Sequence, residues 1–198
     1  MEQREKQIGI MGGTFDPIHC GHLLAAEQAR EQMGLDEVWF MPARIPPHKT
    51  RSGITPAEHR LRMVELAVAD HPAFRVTDVE LRREGPSYTY DTMRQLVSAY
   101  PDCRFSFIVG ADMVELLPKW YRFAELIRLV RFIGLARPGT RLDRRAHEAY
   151  VSFVEMPAWD ISSSLIRQKA AAGRSIRYLV PPAVERYIKE HGLYERSD

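Results

Sequence analysis

Cysteine is almost missing from this chain, with Cys20 and Cys103 the only two among 198 residues. That excludes a disulfide scaffold and a cysteine-rich metal centre. An excess of one charge is missing too: 28 Lys and Arg stand against 26 Asp and Glu, a net charge of +2, so no global field calls for nucleic acid. Aromatic stacking motifs of nucleic-acid modules are lacking as well. No apolar run approaches the length of a membrane span, and residues 1–7 are charged rather than leader-like. The expectation is a soluble, cytoplasmic protein without nucleic-acid or membrane partners. Repeats, low-complexity tracts and linkers are also missing, and 198 residues at 45% hydrophobic content suit one substantial core. The chain is read as a single domain over 1–198, with homo-oligomerisation left open.

What is present is a rhythm. Short apolar runs at 7–12, 37–41, 74–79, 104–109, 130–136 and 151–156 read as strands. Helical patterns fall near 21–33, 56–70, 89–99, 122–128, 163–172 and 182–191. This alternation predicts an α/β protein with a Rossmann-like, doubly wound, mainly parallel sheet and helices on both faces. Thr55, Pro56 and Glu58 carry a capping-box signature for the second helix. Pro181 and Pro182 open the last helix, and Gly192 follows it.

Ligands of open parallel sheets sit outside the carboxyl ends of the strands, so those ends are where chemistry is sought. The first strand runs into Gly12-Gly13-Thr14-Phe15-Asp16-Pro17-Ile18-His19-Cys20-Gly21-His22. The glycines permit backbone conformations that a side chain would obstruct, Asp16-Pro17 signals a turn, and His19 and His22 face one side of the first helical turn. Free N–H groups and the helix dipole favour an anion there, with two imidazoles as further donors. A zinc reading lacks a third ligand and the usual i, i+4 histidine spacing. Asp16 is read either as orienting a histidine or a metal-bound water, or as stabilising the turn. A nucleophilic role for Cys20 is conceivable by position alone.

Three further strand ends add donors. His48 and Lys49 stand at the tip of a proline-stiffened loop after the second strand. Gly110 allows close backbone approach after the fourth, where Asp112 is placed to accept from a ribose. After the sixth, Ser162, Ser163 and Ser164 open a helix, and Arg167 lies one turn on. N-capping accounts for one serine well and for three poorly, so the segment is read as a second anion site. The arginines from Arg128 to Arg145 are read as solvated surface. Two helix starts converging on one crevice suit a long polyanion, and ATP is the natural candidate.

With these residues in place, the chain resembles the nucleotidyltransferase superfamily marked by His-x-Gly-His near the N-terminus and Ile-Ser-Ser-(Thr/Ser)-x-x-Arg near the C-terminus. Here these are His19 to His22 and Ile161 to Arg167. Within that group it is similar to the bacterial nicotinate-nucleotide adenylyltransferases. Pro46-Pro47-His48-Lys49, Ser87-Tyr88-Thr89-Tyr90-Asp91-Thr92, Gly110-Ala111-Asp112 and Pro118-Lys119-Trp120 also match their pattern, in order, over residues 8 to about 194. Ser164 stands where Thr is commoner, Tyr90 where an aliphatic residue is frequent, and Ile18 at a variable position. The resemblance implies adenylyl transfer from ATP to nicotinate mononucleotide, giving nicotinate adenine dinucleotide and pyrophosphate, with Mg2+ carried by the nucleotide and no dedicated protein cage. It implies catalytic roles for His19, His22 and Arg167, and an ATP site of Gly12, Gly13, Thr14, Phe15, His19, His22, Gly110, Asp112, Ile161, Ser162, Ser163 and Arg167. It implies an acceptor site of His48, Lys49, Thr89, Trp120 and Tyr121, Trp120 stacking on the nicotinate ring. Phosphopantetheine adenylyltransferases, glycerol-phosphate cytidylyltransferases and a non-catalytic nucleotide sensor are the rival readings.

Overall fold

Six strands pair into one parallel sheet, whose central strands bury side chains on both faces and whose edge strands β3 and β6 are only partly covered. The computed structural model describes residues 4–44, 53–83, 87–139 and 142–195. The strands are β1 (Lys6–Gly13), β2 (Glu37–Pro42), β3 (Phe74–Val76), β4 (Cys103–Gly110), β5 (Arg131–Ala136) and β6 (Val151–Glu155), in the spatial order β3-β2-β1-β4-β5-β6. Every neighbouring pair is parallel. Helices α1 (Cys20–Met33), α2 (Ala57–Val68), α3 (Thr89–Ala99), α4 (Ala111–Val114), α5 (Phe123–Leu129), α6 (Ser163–Ala171) and α7 (Pro182–Glu190) fill the connections. The doubly wound α/β architecture read from the sequence is the one observed.

Alternation along the strands divides the core into two layers. Ile8 and Ile10 of β1, Phe105 and Phe107 of β4 and Phe132 of β5 pack with Met93 and Leu96 of α3 and Leu126 of α5. Met11, Val38, Phe40, Ile108, Ile133 and Val154 face the other way, onto Ala26 of α1, Val64 of α2, Ile166 of α6 and Val184 of α7. Each such side chain contributes about 1.5–3 kcal/mol on burial, and together they fix the register that brings the strand ends level.

The strand order creates the crevice. From β1 the chain steps outward to β2 and β3, then returns to place β4 on the opposite side of β1. The connections leaving β1 and β4 therefore diverge, and the space above their carboxyl ends is open to a ligand.

Several local expectations are corrected. Helix α2 begins at Ala57 with Pro56 as its N-cap and no side-chain cap, so the capping box of Thr55 and Glu58 does not form. Tertiary partners hold Thr55 instead: its N–H donates to Asp16 Oδ2 at 3.4 Å and its carbonyl accepts from Arg60 Nε at 2.9 Å. The third strand stops at Val76 rather than at 79, although Thr77 N–H still reaches Phe40 O at 2.9 Å. Short helical pieces at Ala111–Val114, Leu117–Lys119 and Arg144–His147 carry too few turns for a periodic signal. Gly192, with φ of 57°, closes α7 as expected. Its N–H reaches Lys189 O at 3.3 Å, and that of Leu193 reaches Ile188 O at 3.0 Å.

Candidate active site

Strand β1 continues through Gly13, and neither Gly12 nor Gly13 has a positive φ. Space decides at Gly13, where a Cβ would meet the Phe15 ring at 2.9 Å. The left-handed residue is Phe15 itself, with φ of 50°. Its side chain is buried, edge-on to the His22 ring at 5.1 Å and tilted against Phe40. Phe15 therefore shapes the loop from beneath and offers a ligand only its main chain. The turn at Asp16 and Pro17 then delivers His19 as the N-cap of α1.

The two histidine rings stack at 3.7 Å with 23° between planes. His22 Nδ1 accepts the His19 main-chain N–H at 3.2 Å, which places the His22 proton on Nε2. A Cβ at Gly21 would lie 3.0 Å from His19 Nδ1, so glycine between the histidines makes room for the His19 ring. That ring is buried, and its Nδ1 has no partner among the described residues. Burial, and then the charge of Arg137, lower the His19 pKa to about 4. Burial, His19 and Arg137 hold His22 well below its ordinary value. Both imidazoles are thus neutral donors in the free protein, not the charged clamp that an anion site first suggests.

The opposite wall is α6. Ile161 is buried behind the start of α1, 3.8 Å from where a Gly21 Cβ would stand. Each serine hydroxyl finds a partner inside the protein. Ser162 Oγ accepts from Leu165 N–H at 3.2 Å as the N-cap, Ser163 Oγ donates to Pro17 O at 2.8 Å, and Ser164 Oγ accepts from Arg167 Nη2 at 3.2 Å. Arg167 Nη1 donates to Asp16 O at 2.6 Å. The helix starts of α1 and α6 are therefore fastened to one turn. Among the described α-helices, these two alone carry no acidic residue in the first turn, whereas α2, α3, α4, α5 and α7 each do. Their dipoles are left uncompensated toward the same space.

Asp16 orients neither histidine. Its carboxylate accepts the Tyr194 hydroxyl at 2.6 Å and the Thr55 N–H, so it stabilises the turn. The sequence reading also missed two residues. Arg60, 1% exposed, donates to the carbonyls of Thr14 at 2.7 Å, Ala43 at 2.8 Å, Thr55 at 2.9 Å and Arg44 at 3.3 Å, tying the β1 and β2 exits together. Arg137 follows β5 and is exposed like its arginine neighbours, and its charge adds, after burial, to the lowering of the His19 and His22 pKa values. Burial pushes the Cys20 thiol up, which leaves it a poor nucleophile.

Gly110 and Asp112 lie at the β4 exit, Asp112 exposed in α4. Of the residues expected to meet the acceptor, Thr89 begins α3 and presents an N–H of the helix start. Tyr121 is half exposed and packs on Tyr88 at 4.7 Å and Tyr90 at 6.3 Å, which sets it against the start of α3. Trp120 stands edge to face with Phe107 at 5.9 Å and Phe132 at 6.0 Å and keeps part of its ring exposed. His48 and Lys49 fall outside the described residues. No group of three or more His, Cys, Asp or Glu side chains is placed to hold a metal among the described residues, and no helix there is long and apolar enough to cross a membrane.

Comparison with known proteins places the chain in a family. The cytidylyltransferase-like family matches residues 10–169. A probable nicotinate-nucleotide adenylyltransferase of Geobacillus thermodenitrificans is 55% identical over 188 residues, covering 95% of this chain and 86% of the relative. The nicotinate-nucleotide adenylyltransferase of Bacillus subtilis is 47% identical over 190 residues, covering 96% and 99%. In fold, the chain is similar to the Plasmodium falciparum nicotinic acid mononucleotide adenylyltransferase complexed with NaAD, with a TM-score of 0.80 at 22% identity over 96% of this chain and 97% of that one.

Proposed function

The chain belongs to the nicotinate-nucleotide adenylyltransferases of the cytidylyltransferase-like family, enzymes of adenylyl transfer in NAD biosynthesis, and from that premise we propose that it joins ATP to nicotinate mononucleotide by direct in-line attack. The observation that carries the site assignment is the pairing of α1 and α6, two helix starts without acidic residues fastened to the Asp16-Pro17 turn. Their free N–H groups, His19, His22 and Arg167 bind the triphosphate, and Mg2+ enters with the nucleotide as part of the substrate. Gly110 and Asp112 take the adenosine end.

The acceptor is a phosphomonoester whose second pKa is about 6, so near neutrality its attacking oxygen is already ionised and needs no general base. That oxygen forms a bond to the α-phosphorus as the bond to the bridging oxygen of the β-phosphate breaks, and pyrophosphate leaves with the electron pair. Positioning and stabilisation of the spreading charge supply the catalysis. Neutral His22, with its proton on Nε2, gives a directed hydrogen bond without the repulsion that two stacked cations would suffer. Arg137 adds positive charge from β5. The nicotinate ring stacks on Trp120, its carboxylate takes the main-chain N–H groups of Thr89 and Tyr121, and Lys49 with His48 adds donors for the substrate. Fixed donors facing a carboxylate disfavour the neutral amide, whose NH2 would leave them unpaired.

Replacing His22 with alanine tests the assignment. Loss of one such donor lowers turnover by about 10²- to 10³-fold, read as pyrophosphate release, with the folded circular dichroism spectrum retained. Turnover near that of the parent would refute the role of His22.

A further inference from the structure

Tyr194 lies after α7, far in sequence from the β1 exit, yet its hydroxyl donates to Asp16 Oδ1 at 2.6 Å. Asp16 is 5% exposed, and its other carboxylate oxygen accepts the Thr55 N–H at 3.4 Å. The main chain of the same turn carries the second wall of the site: Asp16 O accepts Arg167 Nη1 at 2.6 Å and Pro17 O accepts Ser163 Oγ at 2.8 Å. One turn is thus gripped by its side chain from the C-terminal segment and itself grips, by its carbonyls, the residues that face the nucleotide. Tyr194 adopts a φ of 67°, a conformation that a bulky L-residue holds only when its surroundings enforce it. The close of α7 through Leu193 N–H to Ile188 O at 3.0 Å sets that exit, and the ring packs at the edge of the layer formed by α1, α2, α6 and α7.

Arg60 does not take over this task. Its four hydrogen bonds all go to main-chain carbonyls of Thr14, Ala43, Arg44 and Thr55, not to the Asp16 carboxylate. Burial and the neighbouring Asp16 push the Tyr194 ionisation up, far above neutrality, so its hydroxyl remains a donor wherever the enzyme works.

We propose that Tyr194 is a positioning residue for the nucleotide: its hydroxyl fixes the Asp16 turn and, through the Asp16 carbonyl, the guanidinium of Arg167. The segment after α7 thereby belongs to the functional site although it touches no substrate. This rests on the assignment of Arg167 to the triphosphate.

The test is a double-variant cycle of Tyr194→Phe and Arg167→Ala, read as ATP affinity by calorimetry and as kcat/KM for ATP. Tyr194→Phe keeps the ring and its packing. The expected result is a loss of about tenfold in ATP affinity and kcat/KM from Tyr194→Phe alone, the scale of one hydrogen bond to a charged group. In the Arg167→Ala background the same change has less than about a twofold effect, because its route of action is gone. The KM for the acceptor stays unchanged. Full multiplication of the two losses, or a lowered melting temperature with unaltered ATP affinity and kinetics, overturns the proposal. ATP affinity is read without the acceptor, so a parent enzyme that binds ATP but ignores nicotinate mononucleotide refutes the acceptor assignment while the cycle still decides on Tyr194. A parent that binds no ATP refutes both.

Discussion

The histidine pair contributes to the pH response of the free protein. Stacked at 3.7 Å and mostly removed from water, the two rings resist protonation. For His19 the folded pKa of about 4 lies below the ordinary 6.5. Above 6.5 neither folded nor unfolded chain binds this proton, and stability is independent of it. As pH falls from 6.5 to 4, the unfolded chain takes up a proton that the folded one refuses, so stability drops through that window and levels off below it. At about 1.4 kcal/mol per pH unit, the loss from His19 is about 3–4 kcal/mol. Urea denaturation at pH 7 and at pH 4.5 should show a smaller acid loss in His19→Gln than in the parent. Equal losses in the two proteins would contradict the buried neutral state. Arg137 shows why such details escape the sequence: it stands among exposed arginines after β5, and nothing local sets its charge apart as one that lowers the histidine pKa values.

At the scale of the element, Gly21 separates what α1 wants as a helix from what the site wants of it. Alanine favours helix over glycine by about 1 kcal/mol, yet a Cβ there would press on His19 Nδ1 at 3.0 Å and Cε1 at 3.1 Å. Because that ring is buried between His22 and the chain, it has little room to yield. Gly21→Ala should therefore lower kcat/KM by at least about tenfold, the scale of a slightly misplaced catalytic group, while the melting temperature moves by only a few degrees. A melting temperature that falls steeply with the activity would mean that Gly21 serves the fold instead. The helices with strong periodicity lie close to where the sequence put them, because their apolar stripes also decide their packing. Helix α2 contains both an error and an overlooked signal. Its cap box does not form because Thr55 is held instead by Asp16, 39 positions away, and by Arg60 of the helix itself. Its buried residues are Arg60, Met63, Val64, Ala67 and Val68, so an arginine occupied the apolar stripe in plain view, and such a residue must find carbonyl or carboxylate partners.

At the scale of the whole molecule, strand order does the assembling. The exits of β1, β4 and β5 contribute His19 and His22, Asp112, and Arg137, while α6 returns along the chain to meet the first turn. The parallel sheet and the placing of two motif-bearing helix starts after strand ends were legible from the motifs. The latch from Tyr194 to Asp16 and the brace of Arg60 were not, since contacts across 178 and 46 positions leave no local pattern. The proposal sets a triphosphate site beside an aromatic acceptor site, and the choice of acceptor tests it most directly. Pyrophosphate release and dinucleotide formation should be followed with ATP and, in parallel, nicotinate mononucleotide, nicotinamide mononucleotide, phosphopantetheine and glycerol phosphate. Turnover with nicotinate mononucleotide, and with the amide reduced by about tenfold or more, is the predicted result. Equal or faster turnover of the amide, or of either other acceptor, would contradict it.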